Sequence, residues 1–174
     1  MSLLQPIKNL CAAGVVGVGL LMACTSIDCP LDNAVDLTCN LYATETGSAL
    51  TLTDTLTVRA CGTDSVLLNR GISLNTFTLP LRYRSGTDTL LFRFSNDQGQ
   101  FAVDTLFVEQ TAEVHFESED CPVSFYHTID QVRWTSHALA AMPLTIDNVE
   151  IKRNQVDYEN AENLRIYLRA TTDE

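Results

Sequence analysis

Three histidines and a cluster of acids are the residues that could carry acid–base chemistry. His115 and His127 stand in the alternating segments VHFES and FYHTI, and His137 follows ten residues after His127. A histidine inside a strand usually has a structural role. The chain has no GxSxG, HExxH or glycine-rich phosphate loop, so we expect a non-enzymatic protein without catalytic residues or cofactors. A hydrolase with a carboxylate pair is an alternative, suggested by the acidic cluster of Glu117, Glu119 and Asp120.

The tripeptide Asp-Thr-Leu occurs three times, in TDTLTVRA, TDTLLFRF and VDTLFVEQ. Its aspartates, Asp54, Asp88 and Asp104, could together bind calcium, but the segments lack the closely spaced oxygen ligands of a calcium loop. We expect each aspartate to end a turn, with Thr-Leu beginning a strand. The cysteines and histidines also lack the spacing of a zinc site, so no metal is expected.

The N-terminal segment MSLLQPIKNLCAAGVVGVGLLMAC has the features of an export signal. Lys8 precedes an apolar run from Leu10 to Ala23, which at 14 residues is shorter than the roughly 20 that a transmembrane helix needs. The ending Leu-Met-Ala-Cys resembles the lipobox of bacterial lipoproteins, although an ordinary secretory signal or an uncleaved anchor would share most features. We predict a signal peptide at 1–23, a lipidated tether at 24–28 that begins with the lipid anchor Cys24, and a single domain at 29–174.

Four other cysteines of the exported part are expected to form two disulfides. Asp-Cys-Pro occurs at Cys29 and again at Cys121, and proline favours extended geometry in the residue before it. A Cys29–Cys121 bond would contribute about 4 to 5 kcal/mol in the loop-entropy picture. Cys39 and Cys61 would then pair, but a simple hairpin places Cys39 opposite Asp54, beyond disulfide reach of Cys61. The pairing of Cys29 with Cys61 and of Cys39 with Cys121 therefore stays open.

Hydrophobic residues alternate with polar ones along most of the chain from residue 34 onward. In ALTLTDTLTVRA, leucine and valine occupy one face and threonine the other, which is typical of a half-buried strand. Similar runs, separated by glycine-containing turns, recur about every 8 to 12 residues. The pattern predicts an all-β fold, an immunoglobulin-like antiparallel β-sandwich of about nine strands, stapled by disulfides.

The charge and the aromatic residues limit the classes of partner. The net charge is −11, and it becomes −12 when the segment 1–23, with one lysine and no acid, is removed. Such a chain repels phosphate backbones, so nucleic-acid binding is not expected. Tyr83, Tyr126 and Trp134 could bind a glycan through exposed rings, although for Trp134 we favour a core position. We expect first a binding or accessory subunit of an envelope assembly, and second a glycan-binding module.

Several segments also resemble an uncharacterised lipoprotein family of Bacteroidetes, a domain of unknown function. They include SIDCPLDN, FTLPLRY, HFESEDCPVSFYHTI, IDNVEI and AENLRIYL, in that order. The resemblance implies a lipid-anchored envelope protein with paired Asp-Cys-Pro motifs, and it supplies no catalytic residues. Cys39 and Cys61 are additions to the family pattern, which implies that they pair with each other. A single acid close behind Cys24 favours the outer membrane, facing the periplasm, and the inner membrane stays open.

Overall fold

Ten strands arise where β-branched, aromatic and leucine residues alternate with polar ones. The computed structural model describes residues 34–63, 65–119 and 121–170, which belong to the compact unit Leu31–Glu174. The predicted signal peptide, the tether, Cys24 and Cys29 lie outside the described residues. The strands are β1 (Asp36–Ala43), β2 (Thr55–Ala60), β3 (Val66–Gly71), β4 (Thr76–Pro80), β5 (Thr87–Ser95), β6 (Phe101–His115), β7 (Ser124–Thr135), β8 (Leu144–Ile151), β9 (Gln155–Val156) and β10 (Leu164–Ala170).

The strands form two sheets that face each other. One has four strands in the order β4-β1-β10-β8, and the other has six in the order β3-β2-β5-β6-β7-β9. β1 pairs with β10 in parallel, and the other pairings between described strands are antiparallel. The predicted all-β sandwich is confirmed, with ten strands where about nine were expected. None of the described residues lies in a helix long and apolar enough to cross a membrane.

The core lies between the two sheets, and alternation decides which residues enter it. The even-numbered residues from Asp88 to Phe94 in β5 and from Ala102 to Gln110 in β6 are buried, and Phe92, Phe94 and Leu106 are fully so. They face Leu37, Leu41 and other buried residues of the four-stranded sheet in one continuous hydrophobic cluster. Each such side chain contributes about 1.5 to 3 kcal/mol on burial. The odd-numbered residues of β5 and β6 therefore point to the outer side of the six-stranded sheet.

The run 49–60, which was predicted as one strand, is divided between the two sheets. Ala49 forms a bridge with Tyr42 of β1, Leu52 forms one with Leu74, and β2 begins only at Thr55. The chain crosses from the four-stranded to the six-stranded sheet over this short distance. β1 and β2 are therefore not hairpin partners.

The predicted Cys39–Cys61 disulfide is wrong. Both cysteines are free: Cys39 is buried on β1, and Cys61 is exposed after β2 in the other sheet. Burial raises the pKa of the Cys39 thiol. The alternative pairs, Cys29 with Cys61 and Cys39 with Cys121, are also wrong, because each of them needs one of these two free cysteines. Cys121 is disulfide-bonded, and because Cys29 lies outside the described residues, the Cys29–Cys121 bond stays a prediction.

Candidate functional site

The outer side of the six-stranded sheet carries an apolar strip along β6. The odd-numbered residues of β6 from Phe101 to Phe107 point away from the core, and three of these four are apolar, with Thr105 between Val103 and Phe107. Phe101 is 56% exposed and Val103 is 44% exposed. Leu91 of β5 lies one strand away, in register with Thr105. From Phe101 to Phe107 the strip runs about 20 Å, at roughly 3.3 Å per residue.

Arginine side chains lie over both ends of this strip. The Arg93 guanidinium is 4.3 Å from the ring centre of Phe101, and that of Arg133 is 5.2 Å from the ring centre of Phe107. Arg93 pairs in register with Val103, and Arg133 with Phe107, which brings these groups together. A guanidinium stacked on a ring keeps its N–H edge available to carboxylates, and Arg133 already donates to Glu109 at 2.8 Å.

We name this surface the arginine–aromatic face. Arg59 of β2 extends it across the sheet, because Arg59 pairs in register with Leu91. The chain as a whole has 22 acidic residues against 11 basic ones. A surface with three arginines and exposed aromatic carbon is therefore unlike the average surface of this protein. Aromatic residues and arginine are enriched where proteins bind other proteins. The residues of the face are Arg59, Leu91, Arg93, Phe101, Val103, Phe107 and Arg133.

A separate cleft opens beside the first residues of β7. It has a volume of about 200 Å³ and is lined by Val35, Leu81, Tyr83, Ser124, Phe125 and His127. Tyr83, from the segment between β4 and β5, stacks on Phe125 with ring centres 4.2 Å apart. His127 is only 3% exposed and its Nδ1 lies 2.8 Å from the Gln110 side-chain oxygen. Burial lowers the pKa of His127, although the nearby carboxylate of Asp88 opposes that shift.

A third group of rings lies on the outer side of the β6–β7 hairpin. His115 and Tyr126 stack with ring centres 4.1 Å apart, and Tyr158 packs edge-on against Tyr126 at 5.2 Å. His115 also contacts the Glu117 carboxylate at 3.2 Å. Burial raises the pKa of Tyr126, and the charge of Glu117 adds to that shift. The rings contact one another, so their main effect is to stabilise the end of the hairpin.

The pair of His137 and Asp104 resembles a catalytic dyad but is a structural joint between the sheets. His137 Nδ1 lies 2.8 Å from Asp104 Oδ1, and its Nε2 lies 3.1 Å from the carbonyl oxygen of Met142. Asp104 is fully buried and also accepts hydrogen bonds from Thr145 and from the Ile146 amide of β8. Both ring nitrogens are thus held by acceptors inside the protein. No open position is left at which this dyad could move a proton to a ligand.

The three predicted ligand-binding aromatics are not brought together. Tyr83 stacks on Phe125, whereas Tyr126, the next residue in β7, points to the opposite side of the sheet. Trp134 lies near the other end of β7, packs against the core and donates from Nε1 to the Asp147 carbonyl oxygen at 3.2 Å. The three residues therefore do not form one platform for a glycan.

The repeated aspartates also differ from expectation. Asp54 does precede β2, as predicted, but Asp88 and Asp104 lie inside β5 and β6 on the buried side. Asp88 is satisfied by Arg82 at 2.7 Å, and Asp104 by the donors around His137. Burial of a carboxylate is tolerated where such donors satisfy it. Among the described residues, no group of three or more His, Cys, Asp or Glu side chains could hold a metal ion.

The residues of the arginine–aromatic face were missed in the sequence because both sides of β6 are largely apolar. In FAVDTLFV, alternation alone does not say which of the two residue sets is exposed. Asp104 even suggests the wrong answer, since an acid is expected on the wet side. A usable signal was the arginine at 93 and at 133, each on the exposed side of a neighbouring strand.

Comparisons with known proteins identify a family but no function. The comparisons with curated proteins and with solved structures each found no match. A family model described as "Family of unknown function (DUF6452)" matches residues 55–168, which is well over half of the 174-residue chain and runs from β2 into β10. The chain belongs to this family of unknown function.

Proposed function

We propose that this protein is a non-enzymatic lipoprotein of the bacterial envelope that binds a partner protein through its arginine–aromatic face. The observation that carries the proposal is the exposed Phe101–Val103 strip beneath arginines, on a chain of net charge −11. Single exposed apolar residues are common, but neighbouring exposed apolar residues with arginines stacked on their rings are typical of a binding surface.

The chemistry of the face defines the partner that it fits. Phe101, Val103 and Phe107 would contact an apolar surface, and Arg93 would pair with a carboxylate beside it. Arg59 and Arg133 add positive charge to the same side of the sheet. An acidic second copy of this chain is a weaker fit, because the long-range repulsion between two strongly acidic chains opposes association. The proposal therefore commits to a different protein that presents an apolar patch bordered by acids.

The proposed cellular location rests on the N-terminal sequence. Lipid on Cys24 would anchor the domain, and we propose the outer membrane of a Bacteroidetes bacterium, with the domain facing the periplasm. A Cys29–Cys121 bond would fit that oxidising compartment. A Cys24→Ala variant should leave the membrane fraction, and retention there would contradict the anchor. Non-reducing peptide mapping should join Cys121 to Cys29, and any other partner would contradict the pairing.

Affinity purification of the tagged, lipidated protein tests the binding face. The variant Arg93→Glu/Phe101→Ser should lower recovery of a specific envelope partner at least about tenfold, since hot-spot residues of this kind contribute 2 kcal/mol or more. Arg84→Glu is the matched control, because Arg84 is an exposed arginine that lies 5.2 Å from the ring centre of Tyr83, away from the face. If Arg93→Glu/Phe101→Ser recovered as much of the partner as Arg84→Glu does, the proposal would be overturned.

A further inference from the structure

The cleft beside β7 contains a buried histidine whose tautomer is fixed by its neighbours. The Gln110 amide nitrogen donates to two backbone carbonyl oxygens, those of Arg82 at 2.9 Å and Ser85 at 2.8 Å. This orientation leaves the Gln110 oxygen as the atom that faces His127 Nδ1. Since that oxygen only accepts, Nδ1 must carry the proton. His127 Nε2 is then an acceptor, and among the described residues it has no hydrogen-bond partner.

An unused acceptor on a 97%-buried ring would ordinarily carry a penalty. His127 Nε2 is not one of the solvent-inaccessible atoms that lack a partner, so it reaches solvent, and the cleft that His127 lines is the space from which a donor can approach it. The pKa of His127 is lowered by burial, so the neutral ring with its lone pair is the stable form at neutral pH. Next to His127 the charges compensate each other, because Asp88 and Arg82 form an ion pair at 2.7 Å, while the exposed Arg84 guanidinium lies 5.2 Å from the ring centre of Tyr83. The cleft therefore suits a polar ligand with a hydrogen-bond donor for His127 and an acceptor for Arg84.

The other walls of the cleft define the rest of that ligand. Tyr83 is 48% exposed and is held in place by its stack on Phe125, and the Arg84 guanidinium lies 5.2 Å from its ring centre, so its exposed carbon offers a fixed apolar surface beside a hydrogen-bond donor. Ser124 Oγ accepts from the Tyr158 hydroxyl at 2.6 Å, which leaves the Ser124 proton available for donation. A volume of about 200 Å³ lies below the roughly 300 to 1,000 Å³ of sites for drug-sized ligands, so one small ring fits best.

We propose that this cleft binds one sugar ring of a glycan, with a ring hydroxyl donating to His127 Nε2 and an apolar face of the ring packing against Tyr83. A pyranose combines the required properties: it is small, it is rich in hydroxyl groups that both donate and accept hydrogen bonds, and it has flat C–H faces that pack on aromatic rings. This site is separate from the arginine–aromatic face, and it does not depend on the protein partner proposed above.

The test uses the full-length chain in a detergent without a sugar headgroup. Saturation-transfer difference NMR is recorded with the methyl glycosides of glucose, galactose, mannose and N-acetylglucosamine at millimolar concentration. We expect a signal from at least one of them. His127→Phe, which removes the acceptor, and Tyr83→Ala, which removes the packing surface, should each weaken its affinity at least about tenfold. Phe101→Ala, on the arginine–aromatic face, should leave sugar binding unchanged.

Two results would overturn the sugar site. One is the lack of any signal from the four glycosides with the native chain, and the other is undiminished binding by Tyr83→Ala. Because Tyr83 is half exposed, its replacement is not expected to affect folding, so this variant is informative even if His127→Phe proves unfolded. Fluorescence of Trp134 and circular dichroism verify the folded state of each variant. Loss of sugar binding together with normal capture of the protein partner would separate the two surfaces.

Discussion

Replacement of Asp104 by asparagine should strongly destabilise the fold. Each carboxylate oxygen accepts two hydrogen bonds: Oδ1 from the His137 amide at 2.7 Å and from its ring at 2.8 Å, and Oδ2 from the Thr145 hydroxyl at 3.0 Å and from the Ile146 amide at 2.8 Å. Asparagine keeps one acceptor oxygen and turns an NH2 group toward two of these donors. Two buried hydrogen bonds to a charged group are lost, at about 1.5 to 3 kcal/mol each.

The expected loss in free energy of unfolding is therefore about 3 to 6 kcal/mol, similar to the cost of breaking a buried pair. This is a large part of the roughly 5 to 15 kcal/mol that stabilises a typical domain. Urea denaturation followed by fluorescence of Trp134 measures this loss, since Trp134 of β7 donates to the Asp147 carbonyl oxygen of β8 in the other sheet. These elements separate when the joint between the sheets fails.

Asp130→Asn is the matched control for that experiment. Asp130 is exposed on β7 and accepts one hydrogen bond, from the Thr111 hydroxyl at 3.0 Å. Its replacement should change stability by less than about 0.5 kcal/mol. If Asp104→Asn also unfolded within about 0.5 kcal/mol of the native protein, with an unchanged dependence on urea, the carboxylate would not be the joint between the sheets.

Three further predictions concern other buried groups. Burial lowers the pKa of His127 from its usual 6.5, so below about pH 6.5 the unfolded chain binds a proton that the native protein does not, and stability should fall as the pH decreases. The difference in Tm between the native protein and His127→Gln should therefore narrow from pH 7.5 to pH 5. A constant difference would argue against a neutral His127. Cys61 is exposed and Cys39 is buried, so Cys61 should react with a thiol reagent in the native state and Cys39 only after denaturation. Mass spectrometry of alkylated peptides maps the reaction. If Cys39 in the native protein reacted as fast as Cys61, its burial would be contradicted. Asn163→Ala should lower the free energy of unfolding, measured with urea, by about 2 to 3 kcal/mol. The Asn163 amide accepts from Thr38 N at 3.0 Å and donates to the carbonyl oxygens of Arg153 at 3.2 Å and Gln155 at 2.7 Å. A loss below about 1 kcal/mol would mean that water replaces these bonds.

The β-sandwich could be predicted from the sequence because period-two alternation is a local signal. Leu56 and Val58 are buried and Thr57 is not, as the alternation indicates. The crossing at Leu52 could not be predicted, because a bridge to Leu74 depends on contacts between distant parts of the chain. The burial of Cys39 and the exposure of Cys61, which separate the wrongly predicted pair, also depend on such distant contacts.

The candidate sites were harder to predict than the fold, for reasons that lie in single residues. Asp88 and Asp104 interrupt apolar runs, and only the structure provides Arg82 and His137 as their partners. The orientation of His127 depends on Gln110, which is 17 residues away in sequence and on the neighbouring strand. Phe101 and Phe107 were overlooked because an exposed phenylalanine and a buried one look alike in a strand.

Site-specific photo-crosslinking from Val103 is the most direct test of the proposal that the arginine–aromatic face binds a protein. A photoreactive amino acid is placed at Val103 in the lipidated protein in living cells, and at Thr78, exposed on the four-stranded sheet, as the control position. We predict one envelope protein crosslinked from position 103, not from position 78, and lost when Arg93→Glu is added. No crosslink from position 103, or the same product from both positions, would contradict the account.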